Sequence, residues 1–495
     1  MFTGAHEWSL PEFDSTQVLQ LKPYKLLQNH VTGTLGPDEG YALYDRLLNG
    51  RVTERTRLQA AGFLCRQLEQ LDGSACDLPD FVEDLEDWML TTAKDATAQY
   101  TAYLAQRKAG APRRYFSSRS HALYFLRSVA PTKLVDGAWL FGLLSRSQNP
   151  RFTHLVRTYV EELGEGFPDK NHVLIYRQLL QRYGIDSLDT LDESLYTQGL
   201  IQLALGYNPE EFLPEIVGFN LGYEQLPLHL LITAYELNEL GLDPYYFTLH
   251  ITVDNTDTGH AHRAVQAVMD ALPKFGSTND FWQRVRKGYQ LGNAGVGTCE
   301  VIKGFDIDRE VASIFAHKSA AGQGAHSDYC RVAGRSVNEW LATPGDIPVF
   351  LAALEKAGWI KRGEAVENSR FWGLLQGPRA EMFGVFSSYE LQLIHDWIRG
   401  DASSDGMAYN TTTAATDIPR RPSFRTAARL ASLQGGGHID SPPDLLDSDL
   451  QAMLHELAGL DDAGQHNLLV EAMSPSLHWT PAGLHATRLF CQRAA

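Results

Sequence analysis

Apolar residues recur at helical spacing along most of the chain. In residues 40–107 they fall three or four positions apart, as in Leu64, Leu68 and Leu71. This spacing places them on one face of an amphipathic helix. The same pattern returns in 118–144, where Pro131 kinks or breaks the helix, and in 152–163, 172–180, 195–205, 212–224, 228–240 and 446–473. The pattern predicts an all-α fold.

One stretch, residues 249–262, combines this periodicity with possible metal ligands. If it is helical, His250, Asp254 and Asp257 occupy positions i, i+4 and i+7 and point the same way, with His260 one turn further on. The segment before it also alternates like a strand, and a lone histidine on an apolar face is usually structural. Imidazole with carboxylate suits non-haem iron or manganese better than structural zinc.

Three further residues, all earlier in the chain, are also possible metal ligands. Asp136 interrupts an apolar run, so it is either a helix N-cap after Pro131 or a buried carboxylate that needs a cation. Glu162 ends one predicted helix and His172 begins the next, with glycines and Pro168 between them. A glutamate at a helix end is most often solvated, which is the structural alternative for Glu162.

Composition narrows the class of protein. The chain has 495 residues and a formal charge of −17, which disfavours nucleic acid or an anionic membrane as the main partner. No run of about twenty apolar residues predicts a membrane span. Five scattered cysteines without a C-x-x-C pair indicate neither a disulfide framework nor a thiolate zinc site. Together with the lack of a secretory signal pattern, this predicts a cytoplasmic protein.

Breaks in the pattern predict four regions. An N-terminal helical extension covers residues 1–110, and the segment Ala-Gly-Ala-Pro-Arg-Arg at 109–114 separates it from a helical bundle at 111–290. A mainly helical extension follows at 291–400. Residues 401–495 combine a flexible linker, rich in Ser, Thr, Gly and Pro up to about 445, with a C-terminal helical region.

Taken together, these residues resemble the haem-oxygenase-like diiron oxidases and oxygenases, the iron-containing redox enzyme family. Its members carry a glutamate, a second glutamate followed ten positions later by histidine, and then an H-x-x-x-D-x-x-H helix. Glu162 and His172 match the second spacing, and His250-x-x-x-Asp254 opens the last motif. Asp136 stands in place of the first glutamate, and Asp257 in place of the final histidine. The resemblance implies a haem-oxygenase-like helical bundle with additional N- and C-terminal helical regions.

The resemblance also implies a ligand set and cofactors. The expected metal ligands are Asp136, Glu162, His172, His250 and Asp254, completed by His260 if a bulge brings it into the site, or otherwise by Asp257. They would bind two ferrous ions, the second more labile, with O2 as co-substrate. Asp169 and Glu224 are the expected acceptors that fix the histidine tautomers.

The implied activity is O2-dependent oxidation of a small amine or amino-acid-derived molecule, by N-oxygenation or oxidative bond cleavage, in specialised-metabolite biosynthesis. A homodimer is the oligomeric state that the resemblance suggests. Two alternatives stay open at this stage. One is a metal-free oxidase of the same fold, whose histidines would act as acids and bases. The other is a non-catalytic helical scaffold.

Overall fold

A computed structural model of the protein describes residues 39–253, 259–324, 326–327, 329–377, 380–400 and 446–494. Nearly all regular secondary structure in these ranges is helical, which confirms the all-α prediction. The one exception there is a short antiparallel hairpin of β1 (Arg331–Val332) and β2 (Arg335–Ser336). Residues 1–38 of the predicted N-terminal extension, the predicted linker, and both Asp254 and Asp257 lie outside the described residues.

The helices of the first half surround the predicted ligands. In chain order they are α1 (Glu39–Leu48), α2 (Glu54–Gln70), α3 (Leu85–Lys108), α4 (Arg119–Ser128), α5 (Ala130–Lys133), α6 (Thr153–Glu162), α7 (His172–Arg182), α8 (Thr197–Gly206), α9 (Pro209–Tyr223), α10 (Leu228–Glu239), α11 (Tyr245–Val253), α12 (His260–Ala271) and α13 (Thr278–Leu291). Short 3-10 segments link several of them, at Val82–Asp84, Ala138–Arg146, Pro150–Phe152, Gly164–Gly166 and Glu193–Tyr196.

Helices of the second half extend the structure on both sides of the hairpin. They are α14 (Thr298–Lys303), α15 (Ile307–Gly322), α16 (Val337–Leu341), α17 (Ile347–Lys356), α18 (Arg370–Gln376), α19 (Ser388–Arg399), α20 (Ser448–Leu457), α21 (Asp462–Ala472) and α22 (Pro481–Ala494), with 3-10 turns at Pro344–Asp346 and Val366–Asn368. None of the helices in the described ranges is long and apolar enough to cross a membrane.

Buried apolar side chains form two hydrophobic cores. The first combines α1 and α2 with α6, α8, α9, α12 and α13, and it also includes Leu450, Leu469 and Phe490 from the C-terminal helices. The second combines α4, α7, α10 and α11 with the helices between residues 301 and 398. Each core draws on residues far apart in the chain. The proposed division into four consecutive regions stays a prediction.

The predicted ligands occupy the region where these two cores meet. Asp136 follows Val135 of the first core, while His172 precedes Val173 and lies on α7, whose Tyr176 belongs to the second core. The surrounding apolar side chains exclude water from these polar groups. Contacts among the polar groups must therefore offset the cost of burying them.

Candidate metal centre

Asp136 is a buried carboxylate and not a helix cap. Its side chain is 4% exposed, and the following 3-10 helix has Gly137 at its N-cap, with no side-chain capping bond. The Oδ2 atom of Asp136 instead accepts a hydrogen bond from the hydroxyl of Tyr246 and lies 3.2 Å from Nε2 of His250. Of the two alternatives drawn from the sequence, the cap is therefore wrong, and Asp136 is a buried anion that requires positive charge nearby.

Close backbone packing places Asp136 beside Glu162. Gly137 has φ of 81°, and a Cβ atom added there would lie 3.0 Å from Cβ of Glu162. A larger residue would therefore be both strained and crowded at this position. The glycine lets the Asp136 turn approach the end of α6, which carries Glu162.

A tight turn brings Glu162 and His172 together. Gly164 has φ of 64°, and a Cβ atom at this residue would lie only 2.4 Å from the backbone nitrogen of Asn171. Asn171 then caps α7, because its Oδ1 accepts a hydrogen bond from the Leu174 amide at 2.9 Å. Its Nδ2 group donates to the carbonyl oxygen of Leu163 at 3.1 Å, which fixes the end of α6 against the start of α7.

Four of the predicted ligands form one group. Ligand atoms of Asp136, Glu162, His172 and His250 all lie within 4.8 Å of one another. Nδ1 of His172 lies 3.8 Å from Oδ2 of Asp136 and is in closer contact with Oε2 of Glu162. Neither the His172 Nδ1 nor the Glu162 Oε2 has a hydrogen-bond partner among the described residues. Two buried atoms that approach without a hydrogen bond fit a site for a shared cation.

A second group shares Glu162 with the first. Ligand atoms of Glu162, Glu224 and His260 also lie within 4.8 Å of one another, and all three residues are buried. Nδ1 of His260 is 2.8 Å from Oε2 of Glu224 and 3.4 Å from Oε1 of Glu162. The two carboxylate oxygens of Glu162 thus face different histidines, His172 on one side and His260 on the other.

Glu161 orients His260, a contact that the sequence reasoning missed. Oε2 of Glu161 lies 2.9 Å from Nε2 of His260, so it can accept the proton of that nitrogen and leave Nδ1 as the electron-pair donor. Arg157 and Arg263 both pair with Glu161. Burial opposes ionisation of Glu161, but the bonds from His260 and Arg157 outweigh it and lower its pKa to about 2. The neighbouring acid pair Glu161-Glu162 was the available signal in the sequence.

His250 is oriented by its own helix. Its Nδ1 atom lies 2.8 Å from the carbonyl oxygen of Tyr246, one turn earlier on α11, so Nδ1 can carry the proton and Nε2 can face Asp136. The Tyr246 hydroxyl, meanwhile, donates to Asp136. One turn of α11 therefore fixes both a candidate ligand and a hydrogen-bond donor to another.

The carboxylates of the first group are held in their ionised form. Burial raises the cost of charging Asp136, but Lys133 and His250 outweigh this cost and keep its pKa below the ordinary value. Burial also raises the cost of charging Glu162, but the contact with His172 outweighs this cost and lowers the pKa of Glu162. Ionised carboxylates and neutral imidazole nitrogens are the forms that bind metal ions.

A cavity of about 670 Å³ opens onto both groups. Asp136, Glu162, Glu224 and His250 form part of its wall. The remaining wall is largely apolar and aromatic and includes Trp88, Phe125, Trp139, Tyr223, Phe247 and Tyr289. This size and lining suit a small organic molecule next to the candidate ligands.

Two expectations about the site need correction. His250 and His260 do not share one bulged helix, because Gly259 is extended and α12 begins anew at His260. Asp169 is exposed and contributes its backbone carbonyl to the hydroxyl of Tyr245, so no contact with a candidate ligand supports the role expected for it. Glu224 does contact His260, as expected, but it also belongs to the second ligand group. The assignment of Asp254 and Asp257 as ligands stays a prediction, since neither is described.

The donor set fits iron. Three carboxylates and three imidazoles converge in a buried site, and no cysteine belongs to either group. Mixed oxygen and nitrogen donors of this kind are typical of non-haem iron, whereas structural zinc sites mostly use thiolates. Shared use of Glu162 fits two adjacent cations, because a bridging carboxylate offsets their mutual repulsion.

Clustered carboxylates and histidines inside an all-α fold are typical of helical metalloproteins. Within that class, residues 123–293 match the family model described as iron-containing redox enzyme. This match supports, for this region of the chain, the resemblance seen in the sequence. Searches of curated proteins and of solved structures gave no significant match.

Proposed function

We propose that the protein is a non-haem diiron, O2-dependent oxidase or oxygenase. Its substrate is a small amine or an amino-acid-derived molecule, which it N-oxygenates or cleaves at a C–C or C–N bond in specialised-metabolite biosynthesis. The cytoplasmic location and the homodimer expected from the sequence are retained as parts of this proposal.

The observation that carries the proposal is the position of Glu162 between two donor groups. Asp136, His172 and His250 lie on one side, and Glu224 and His260 lie on the other. Asp136, His172 and His250 would hold one ferrous ion, Glu224 and His260 would hold a second, and Glu162 is available to both. When bound, the two ions would supply the electrons for the reduction of O2.

The residues around the two groups have separate tasks in this mechanism. Glu161 holds the proton on Nε2 of His260, and the carbonyl of Tyr246 holds the proton on Nδ1 of His250. Both contacts fix the histidine tautomers and ring orientations. The aromatic walls of the cavity, including Phe125 and Phe247, exclude water from the reacting molecules.

Anaerobic loading with Fe(II) tests the proposal. Two ferrous ions should bind per chain, and mixing with O2 in a stopped-flow spectrometer should give a transient visible absorption with O2 uptake. Protein loaded with redox-inert Zn(II) is the matched control and should give neither signal.

The same experiment separates the two alternatives. O2 consumption by protein that binds no iron would contradict the proposal and favour a metal-free oxidase. Protein that neither binds iron nor consumes O2 would favour a scaffold. In that case, replacing His172 and His250 by alanine would change stability alone.

A further inference from the structure

The wall of the large cavity contains one fixed cation among the described residues, Lys133. It is the only lysine or arginine of the described lining. The residue is half-buried at the end of α5, and its Nζ atom lies 5.6 Å from the ring centroid of Tyr246. Lys133 forms no ion pair with any carboxylate of the described ranges. A half-buried ammonium group that forms no close ion pair among the described residues is available to an anionic ligand.

Lys133 lies close enough to the candidate metal centre to influence it. It is the first of the charges that lower the pKa of Asp136 against the effect of burial. Burial, followed by the charge of Lys133, lowers the pKa of His229 to about 4, so this histidine of the cavity wall is neutral near pH 7. Lys133 is therefore the fixed cation of the described lining.

The charge balance of the loaded site favours an anion. Asp136, Glu162 and Glu224 are the buried acids of the cavity wall, and the remaining lining acid, Asp95, is exposed on α3. Two ferrous ions would balance the three buried carboxylates together with the predicted ligand Asp254, and Lys133 then leaves one net positive charge. A substrate with a negative group would therefore be attracted to this end of the cavity.

A single ammonium group matches a monoanion better than a phosphate. Phosphate recognition generally uses a fork of arginine donors or several backbone amides, and the described lining contains no arginine. A carboxylate of a small organic substrate needs only one such charge-assisted contact. Apolar residues of the same lining, among them Leu226, Leu228 and Val296, suit the carbon skeleton.

We propose that Lys133 is the recognition site for a substrate carboxylate, which pairs with its Nζ atom while the remainder of the molecule lies against the apolar wall beside the metal centre. This inference rests on the proposed function, because the positive charge balance requires the two ferrous ions. It narrows the substrate class to molecules that carry a carboxylate, and it makes Lys133 a determinant of specificity.

Binding of matched six-carbon probes tests the inference without turnover. Iron-loaded protein, kept free of oxygen, is titrated calorimetrically with hexanoate, hexanamide and hexylamine. Wild-type protein should prefer hexanoate. The variant Lys133→Met should bind hexanoate about 10- to 100-fold more weakly, which is the range for loss of a charge-assisted contact, with hexanamide binding unchanged. Lys133→Arg should retain most of the affinity for hexanoate.

Lys274→Met is the matched control, because Lys274 is exposed and outside the cavity wall. It should bind all three probes as the wild type does. Removal of the Lys133 cation should not weaken the binding of ferrous ions. Lys133→Gln provides a second neutral variant if Lys133→Met folds poorly. Hexanoate binding that is absent in the wild type, or equal in the wild type and both neutral variants, would overturn the inference.

Iron content, measured for every variant before titration, separates this inference from the proposed function. Wild-type protein that binds no iron overturns the proposed function and the carboxylate site with it. If every variant binds its full complement of iron but the affinity for hexanoate does not depend on residue 133, only the carboxylate site is overturned.

Discussion

Two buried glutamates of this protein have opposite surroundings. Glu236, which is fully buried on α10, accepts hydrogen bonds from the Tyr103 hydroxyl at 2.7 Å and from the backbone amides of Tyr115 and Phe116 at 3.0 and 2.9 Å. Glu162 is 3% exposed, and its nearest polar neighbours are histidines. Hydrogen-bond donors satisfy the first carboxylate, whereas imidazole nitrogens and two further carboxylates surround the second.

The difference distinguishes a structural carboxylate from a candidate metal ligand. Glu236 ties the chain around residues 114–116 to α10, and its negative charge is balanced by oriented amide dipoles. Glu162 shares its site with Asp136 and Glu224, so the protein gathers like charges there. Such an arrangement is stable in a folded protein only when cations or protons compensate it. Burial alone would not have separated the two glutamates.

The largest expected effect is a difference in iron content between variants that remove the charge of Glu162 and of Glu236. Glu162→Gln should lose iron from both groups, with affinity falling by more than the ~10–100-fold typical of residues outside the ligand sphere. Glu236→Gln should keep full iron content and instead lose about 1–3 kcal/mol of unfolding free energy, because the amide mismatches the donors. Iron analysis and denaturant unfolding check both. Equal iron loss in the two variants would remove the distinction.

A smaller effect should follow from removing one histidine from one group. His260→Ala should leave the group of Asp136, His172 and His250 intact, so about one ferrous ion per chain should remain bound. His172→Ala should spare the Glu224 group in the same way. Anaerobic Fe(II) titration with iron analysis measures the stoichiometry. Complete loss of iron in both variants would indicate a single cooperative site rather than two groups joined by Glu162.

A hydrogen bond to a candidate ligand should have a still smaller effect. Tyr246→Phe removes the donor to Asp136, and iron affinity should fall about 10-fold, the lower end of the range for groups that orient ligands. Tyr176→Phe is the matched control: Tyr176 packs against Tyr246, but its hydroxyl donates to the carbonyl oxygen of Leu126 at 2.7 Å. Competition with a ferrous chelator measures both affinities. Similar losses in the two variants would point to packing instead of the hydrogen bond.

The smallest expected effect is a change in pH dependence at His478. Burial, followed by the nearby charge of Arg177, lowers the pKa of His478 from 6.5 to about 3. As pH falls from 6.5 towards 3, the unfolded chain takes up a proton at His478 that the folded chain does not. The native state should therefore lose up to about 1.4 kcal/mol per pH unit through this residue.

His478→Asn should remove that contribution and flatten the pH dependence of the unfolding free energy below pH 6.5. Urea unfolding at several pH values measures the slope. The matched control is His455→Asn, because His455 is exposed on α20. A slope unchanged in His478→Asn would mean that this histidine is already protonated in the folded protein.

Contacts between residues close together in the chain could be predicted from the sequence, whereas contacts between distant residues could not. The approach of Glu162 to His172 could be predicted, because a short turn with glycines joins the helices that carry them. The helical periodicity also predicted the all-α fold. Asp136 could not be assigned from its neighbours, since an N-cap and a buried anion have the same local pattern. Only the distant α11, with Tyr246 and His250, decides between them.

The roles of the other acids depended on packing between distant helices. Asp169 and Glu224 were both expected to fix histidine tautomers. Glu224, however, ends α9 opposite α12, while Asp169 lies on an exposed turn. Glu161 and Glu162 are adjacent in the chain, yet both reach His260 because α6 ends beside α12. The extended backbone of Gly259, directly before α12, was not evident from the apolar periodicity.

The side chain of Asn171 also contacts the far end of the chain, since its Nδ2 group lies 3.1 Å from Nδ1 of His478. The Tyr159 hydroxyl, one turn before Glu162, donates to the carbonyl oxygen of Met473 at 2.7 Å. We therefore expect the centre to reach its final geometry late in biosynthesis, only after the segment around residue 478 has left the ribosome. A nascent chain that already contains every candidate ligand would still be unable to hold iron tightly.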